Sequence, residues 1–203
     1  MHLVFDIFQG IGLAAAVGIR PFLPALAAGA LAAGDVEIDF KHSTYSFLQS
    51  SGFLLALVIG VIVLTIVERR LYARGDDKSG GGLERGPLAL IVVLISAGVG
   101  AVFFAGELCR AGAVEWPGYV AGPVCAVIAA AASRPLFARV RARLDASAAK
   151  ALPLYAEGMA ILLAVLSVLL PPVGPIGLAL LLWLLVAGRG RGEQKYAGLR
   201  ILR

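Results

Sequence analysis

The chain has 203 residues, of which 60% are hydrophobic and 15% charged, with a formal net charge of +5. A typical soluble domain is about 45–50% apolar and about 25% charged, and one of this size leaves roughly a quarter to a third of its unfolded surface in water. At a mean hydropathy of +0.89, apolar side chains would have to fill that shell, so a soluble enzyme, a disordered chain and a disulfide scaffold are excluded. An all-α polytopic membrane protein, folded as a single transmembrane domain over residues 1–203, is predicted.

A membrane-crossing helix needs about 20 mostly apolar residues. The first apolar stretch, 3–33, is about 31 residues or roughly 46 Å long as a helix, too long for one straight span, and is interrupted at Arg20-Pro21. Stretches 47–67, 88–108 and 118–137 follow. The last stretch, 152–188, exceeds one span and carries the turn sequence Pro171-Pro172-Val173-Gly174-Pro175 in its middle. Six transmembrane helices are therefore expected, the first of them broken.

The connections alternate in charge. The linker 69–87 holds Arg69, Arg70, Arg74, Lys78 and Arg85; the segment after the fourth span holds Arg139, Arg141, Arg143 and Lys150; the basic C-terminal tail 189–203 holds Arg189, Arg191, Lys195, Arg200 and Arg203. Residues 35–41 are net acidic, 107–116 nearly neutral and 171–175 uncharged. This pattern fits the positive-inside rule with a cytoplasmic linker and both termini in the cytoplasm, and puts Trp116 and Tyr119 at the outer interface. Basic clusters arranged this way encode topology, so no nucleic-acid partner is expected. The N-terminus lacks the basic region of a cleavable signal. Cys109 and Cys125 are too few for a framework and no His/Cys/Asp set has ligand spacing, so no metal or cofactor is expected.

Gly18-Ile19-Arg20-Pro21-Phe22-Leu23 is echoed by Ala132-Ser133-Arg134-Pro135-Leu136-Phe137. With six spans the two Arg-Pro helices run in opposite directions, which predicts a 3+3 inverted repeat with halves 1–110 and 111–203. Arg20 is the sharpest candidate for function. An arginine deep in an apolar stretch costs at least about 2.5–3.5 kcal/mol and needs a partner, a cavity or water. Pro21 and Pro24 break the backbone beside it, and broken backbone survives in a membrane only where protein buries it or a cavity meets it. A guanidinium at such a break is an expected anion site. Glu157, the deepest carboxylate, is the candidate protein partner of Arg20, although the depths of the two residues differ. Arg134 is a third site candidate, while Asp6, Glu68 and Glu107 fall near span ends and read as interfacial. Gly10, Ala14 and Gly18 form a smooth helix face suited to packing or to a homodimer.

Two stretches carry a family resemblance. Gly10-Ile11-Gly12-Leu13-Ala14-Ala15-Ala16-Val17-Gly18-Ile19-Arg20-Pro21-Phe22-Leu23-Pro24 and Lys195-Tyr196-Ala197-Gly198-Leu199-Arg200-Ile201-Leu202-Arg203 resemble the bacterial domain-of-unknown-function 4126 integral membrane family. That resemblance implies a protein of the bacterial inner membrane and brings no activity. Arg20-x-Phe22-x-Pro24 followed by Ala27-Ala28-Gly29 is similar to the arginine–proline hairpin motif of the DedA family, which is implicated in moving undecaprenyl phosphate. The acidic and second arginine motifs of that family are not recognisable here. This likeness implies a re-entrant hairpin over residues 3–33, whereas the charge alternation favours one broken span, and the broken span is the expectation adopted. Together these readings predict a small carrier or flippase-like protein for an anionic lipid or metabolite, not an enzyme, with membrane lipids as its surroundings. A non-transporting scaffold or assembly subunit is the alternative.

Overall fold

The computed structural model describes residues 2–41, 43–73, 87–141, 143–145, 148 and 151–197. Most of the linker (74–86), His42, Lys150 and the last residues of the tail (198–203) lie outside them. Among the described residues there are seven α-helices and no strand: α1 (His2–Ile19), α2 (Phe22–Ala33), α3 (Ser51–Ala73), α4 (Pro87–Arg110), α5 (Trp116–Arg141), α6 (Leu152–Leu169) and α7 (Val173–Ala197), with a 3-10 turn (Ser46–Gln49) ahead of α3. Four stretches, Ser51–Arg70, Leu88–Arg110, Trp116–Arg141 and Leu152–Leu169, are long and apolar enough to cross a membrane, and Leu3–Ile19, Phe22–Ala33 and Val173–Ala187 are shorter apolar helices. Large apolar side chains are exposed along α3 (Leu55, Ile59, Ile62, Val63), α4 (Leu90, Leu94) and α7 (Ile176, Leu180, Val186). An outer surface this apolar belongs in lipid, and the chain is a helical membrane protein.

The same dipeptide has opposite effects in α1 and α5. At Arg20-Pro21 the helix ends: the Arg20 N–H still bonds the Ala16 carbonyl at 3.2 Å, but Pro21 and Pro24 have no N–H to offer Val17 and Arg20. Two missing bonds one turn apart remove the ladder across the junction. α2 then starts at Phe22, and Pro24 falls in its first turn, where a backbone N–H has no helical partner in any case. In α5, Pro123 and Pro135 lie three turns apart. Each removes a single bond, and the helix runs on through Arg134-Pro135 to Arg141.

The direction of each helix follows from who meets whom. Gly10 of α1 lies against the Phe104 ring of α4, and Asp6 is ion-paired with Arg110, so α1 and α4 are antiparallel. Gly118 packs on Ala105 and Arg134 bonds the Ala89 carbonyl, so α4 and α5 are antiparallel too. α1 and α5 are therefore parallel, with Gly18 against Ala126. Both Arg-Pro sites stand at one end of the bundle, so the two Arg-Pro helices run in the same direction and not in the opposite directions expected.

Residues 3–33 also depart from the expected single broken span. Phe22 meets Gly60 while Gly29 meets Leu54 and Leu48, so α2 runs back along α3, opposite to α1. Arg110 closes the argument: its guanidinium pairs with Asp6 and also bonds the Glu37 carbonyl at 2.9 Å. The start of α1 and the acidic segment after α2 therefore stand at the same end of the bundle. α1 and α2 form a hairpin with Arg20-Pro21 at its tip. The alternation of charge lies entirely in connections that follow residues 3–33, so it reads the same whether that stretch crosses once or returns on itself.

α1 is the centre of the bundle. Leu13, Ala14, Ala15, Ala16 and Val17 are all buried, a pattern apolar on every side as expected of a core helix. Gly12 sits where a Cβ would meet the Ser167 side chain and lie 2.7 Å from the Gly174 backbone. On the other side, the Gly10-Ala14-Gly18 face is filled by α4 and α5 of the same chain. It serves packing within the chain.

Candidate functional site

The hairpin tip brings Arg20 to the end of the bundle where α3 runs out and α6 begins. There it forms an ion pair with Glu68 of α3. Both side chains are largely withdrawn from solvent, at 15% and 9% exposure. Arg20 is thus close to the end of the helices and not midway between their ends as the length of stretch 3–33 suggested. The counter-charge is also not Glu157: Glu68, read from sequence as interfacial, takes that place. Glu157 stands on α6 near enough to act electrostatically on both Arg20 and Glu68, but no direct bond joins it to Arg20.

Beside this pair lies a cavity of about 60 Å³ lined by Arg20, Glu68, Ser133, Arg134, Arg141 and Pro153, with apolar walls from α1, α4, α5 and α6. That space admits several waters or a small oxyanion. Arg134 is held by α5, whose unbroken passage through Pro135 aims the guanidinium toward α4, where its Nη2 donates to the Ala89 carbonyl at 2.9 Å. Arg141, two turns further on, was read in sequence only as a topology charge; on a continuous helix two turns of separation put it on the same side as Arg134. Among the described residues, three guanidinium groups and one carboxylate line the recess.

Of the residues expected at the site, Arg20 and Arg134 are brought together. Pro21 and Pro24 are fully buried and line no part of the cavity; their role is to make the tip that presents Arg20. Glu157 is a neighbour and not a lining residue. Glu68, Ser133 and Arg141 were not anticipated. The one sequence signal for Glu68 was its position, first after an apolar stretch and followed by Arg69 and Arg70. Comparison with protein-family models, with curated proteins and with solved structures yields no match, so what the site can do rests on its own geometry.

Proposed function

We propose that this chain is a bacterial inner-membrane protein that binds an anionic group, the phosphate of a lipid or a small anionic metabolite, in the Arg20–Arg134–Arg141 cleft, and acts as a small carrier or flippase-like protein for it. The observation that supports this reading is the convergence of three arginines, Arg20, Arg134 and Arg141, with Glu68 and Ser133 around one recess at one end of the bundle. Guanidinium groups bind phosphate and carboxylate through paired hydrogen bonds, and a low-dielectric wall strengthens that attraction. An arriving anion competes with Glu68 for Arg20, so binding exchanges an internal ion pair for a ligand contact at the hairpin tip. The basic residues Arg69, Arg70, Arg139 and Arg141 at this end make it the cytoplasmic face. In that orientation α3 to α7 cross the membrane, the α1–α2 hairpin enters and leaves by the outer face, the N-terminus is outside and the tail inside.

The test is transport and binding with the purified protein in liposomes. A phosphate-bearing lipid or soluble organic phosphate should move across the bilayer, and should raise the melting temperature in detergent; at a concentration 100-fold above Kd the stabilisation is about 2.7 kcal/mol. Arg134→Gln should abolish both effects while the chain still folds. Movement and stabilisation that persist unchanged in Arg134→Gln and in Arg20→Gln would sink the site assignment.

A further inference from the structure

A second polar cluster lies at the other end of α1, away from the cleft. Arg110 of α4 reaches across to α1 and gathers four acceptors: Asp6, the Gln9 Oε1 at 2.6 Å, the Glu107 Oε2 at 3.0 Å and the Glu37 carbonyl. Gln9 in turn donates from Nε2 to the Val168 carbonyl of α6 at 2.8 Å. Two carboxylates therefore share one guanidinium. Glu107 is fully buried, and its other oxygen, Oε1, has no hydrogen-bond partner among the described residues. The charges acting on it are Arg110 on its own helix and Asp6 on α1. From the segment after α2 the neighbour is a backbone carbonyl, and toward α5 the ionisable groups Glu115 and Tyr119 are engaged by Tyr45.

We propose that this cluster is a proton-binding site, with one exchangeable proton held on Glu107 Oε1. A carboxylate oxygen cut off from water with no donor is among the most costly arrangements a fold can contain. One guanidinium balances one carboxylate, and of the two on Arg110 it is Asp6 that keeps some contact with water while Glu107 has none, so Asp6 is the one that stays ionised. A proton on Oε1 removes the remaining charge and converts a bare anionic oxygen into a neutral hydroxyl, which costs far less to bury. Asp6 and Arg110 keep side-chain exposures of 11% and 24%, so water at this face can deliver the proton and receive it back. On its release the two carboxylates compete for Arg110, and the groups that compete are the ones that tie α1 to α4, to the segment after α2 and, through Gln9, to α6. The site is independent of the anion cleft and its test does not use an anion.

Infrared spectra of the full-length protein, titrated from acid to alkaline pH, read the carbonyl stretch of a protonated carboxylic acid directly. The wild type is expected to retain one such band through neutral pH and lose it in alkali. In Glu107→Gln, whose amide copies the shape of a protonated carboxyl, the neutral-pH band should be absent. Asp6→Asn removes both the competitor for Arg110 and a like charge, and should move the titration toward acid by about one pH unit or more. A wild type with no protonated carboxyl at neutral pH, a band unchanged in Glu107→Gln, or a signal that responds to sodium at fixed pH and not to pH overturns the proposal. If Glu107→Gln does not fold, Asp6→Asn decides alone, and an unmoved titration overturns it.

Discussion

Arg20 and Glu68 are paired at 15% and 9% exposure, so removing Glu68 leaves a guanidinium withdrawn from water with its closest counter-charge gone. Glu68→Gln is expected to destabilise the protein by about 3–5 kcal/mol, and Arg20→Gln with Glu68→Gln to recover much of that, since breaking half of a buried pair costs more than removing all of it. Glu157→Gln, which removes a neighbour and not a partner, should cost less than about 1 kcal/mol. Thermal or denaturant melts of these variants in detergent check all three. A second residue-scale prediction concerns Tyr45 in the segment after α2. Its hydroxyl donates to Glu115 at 2.8 Å and shares a 2.6 Å bond with Tyr119. Burial first, then these two bonds, hold its ionisation well above the usual tyrosine range. A group that resists deprotonation only when folded contributes stability that is lost as pH rises past the unfolded value of about 10. Alkaline unfolding should therefore begin there, and Tyr45→Phe should flatten that limb of the stability profile. Glu115 shows the reverse: hydrogen bonds from Cys109 and then Tyr45 hold its carboxyl below the usual range, so its contribution is present at neutral pH and lost on acidification. That Arg20 needs a counter-charge was legible in the residue type. Which carboxylate supplies it was not, because Glu68 is 48 positions away and reaches Arg20 only through the hairpin.

Close helix approach is the device that makes α1 a central element. A Cβ on Gly18 would collide with the Ala126 carbonyl and lie 2.7 Å from its Cα, while one on Gly12 would lie 2.7 Å from the Gly174 Cα. These obstacles are backbone, so they cannot turn aside. Gly18→Ala and Gly12→Ala should each cost about 1–3 kcal/mol or more through forced separation of helices. Gly158, on the outer side of α6 with nothing within 4 Å of its Cβ position, is the control: Gly158→Ala should stabilise by up to about 0.5–1 kcal/mol, the gain in helix propensity. A melt series on the three variants separates packing from propensity. Small residues at spacing four were visible in the sequence as a smooth face. Whether that face met another molecule or another helix of the same chain depended on which helices surround α1. The prolines teach a similar lesson. Pro21 breaks its helix because Pro24 follows within a turn, and Pro135 does not because it stands alone, a difference of spacing that the sequence displays but that a reading of each Arg-Pro separately overlooks.

At the scale of the whole molecule, the hairpin changes the predicted sidedness of the N-terminus. Single cysteines in a background lacking Cys109 and Cys125 report it by labelling whole cells with an impermeant reagent. Leu3→Cys, Asp39→Cys and Trp116→Cys should all react from outside, and Lys195→Cys should not. Protection of position 3 alongside labelling of position 39 would contradict the shared face that Arg110 defines. Composition and hydropathy were sufficient to specify a helical membrane protein, because 60% hydrophobic residues in helix-length runs have no other low-energy disposition. Runs of arginine and lysine were sufficient to mark one face as basic, since charge at helix ends is a local property of the chain. The hairpin, the parallel pair α1 and α5, the Arg20–Glu68 ion pair and the buried Asp6–Arg110–Glu107 cluster were decided by packing. Each depends on the direction in which one helix returns past another, and that direction is fixed by contacts between residues tens of positions apart, where backbone approach at glycine and the cost of an unpaired buried charge select one arrangement among several that the local sequence permits.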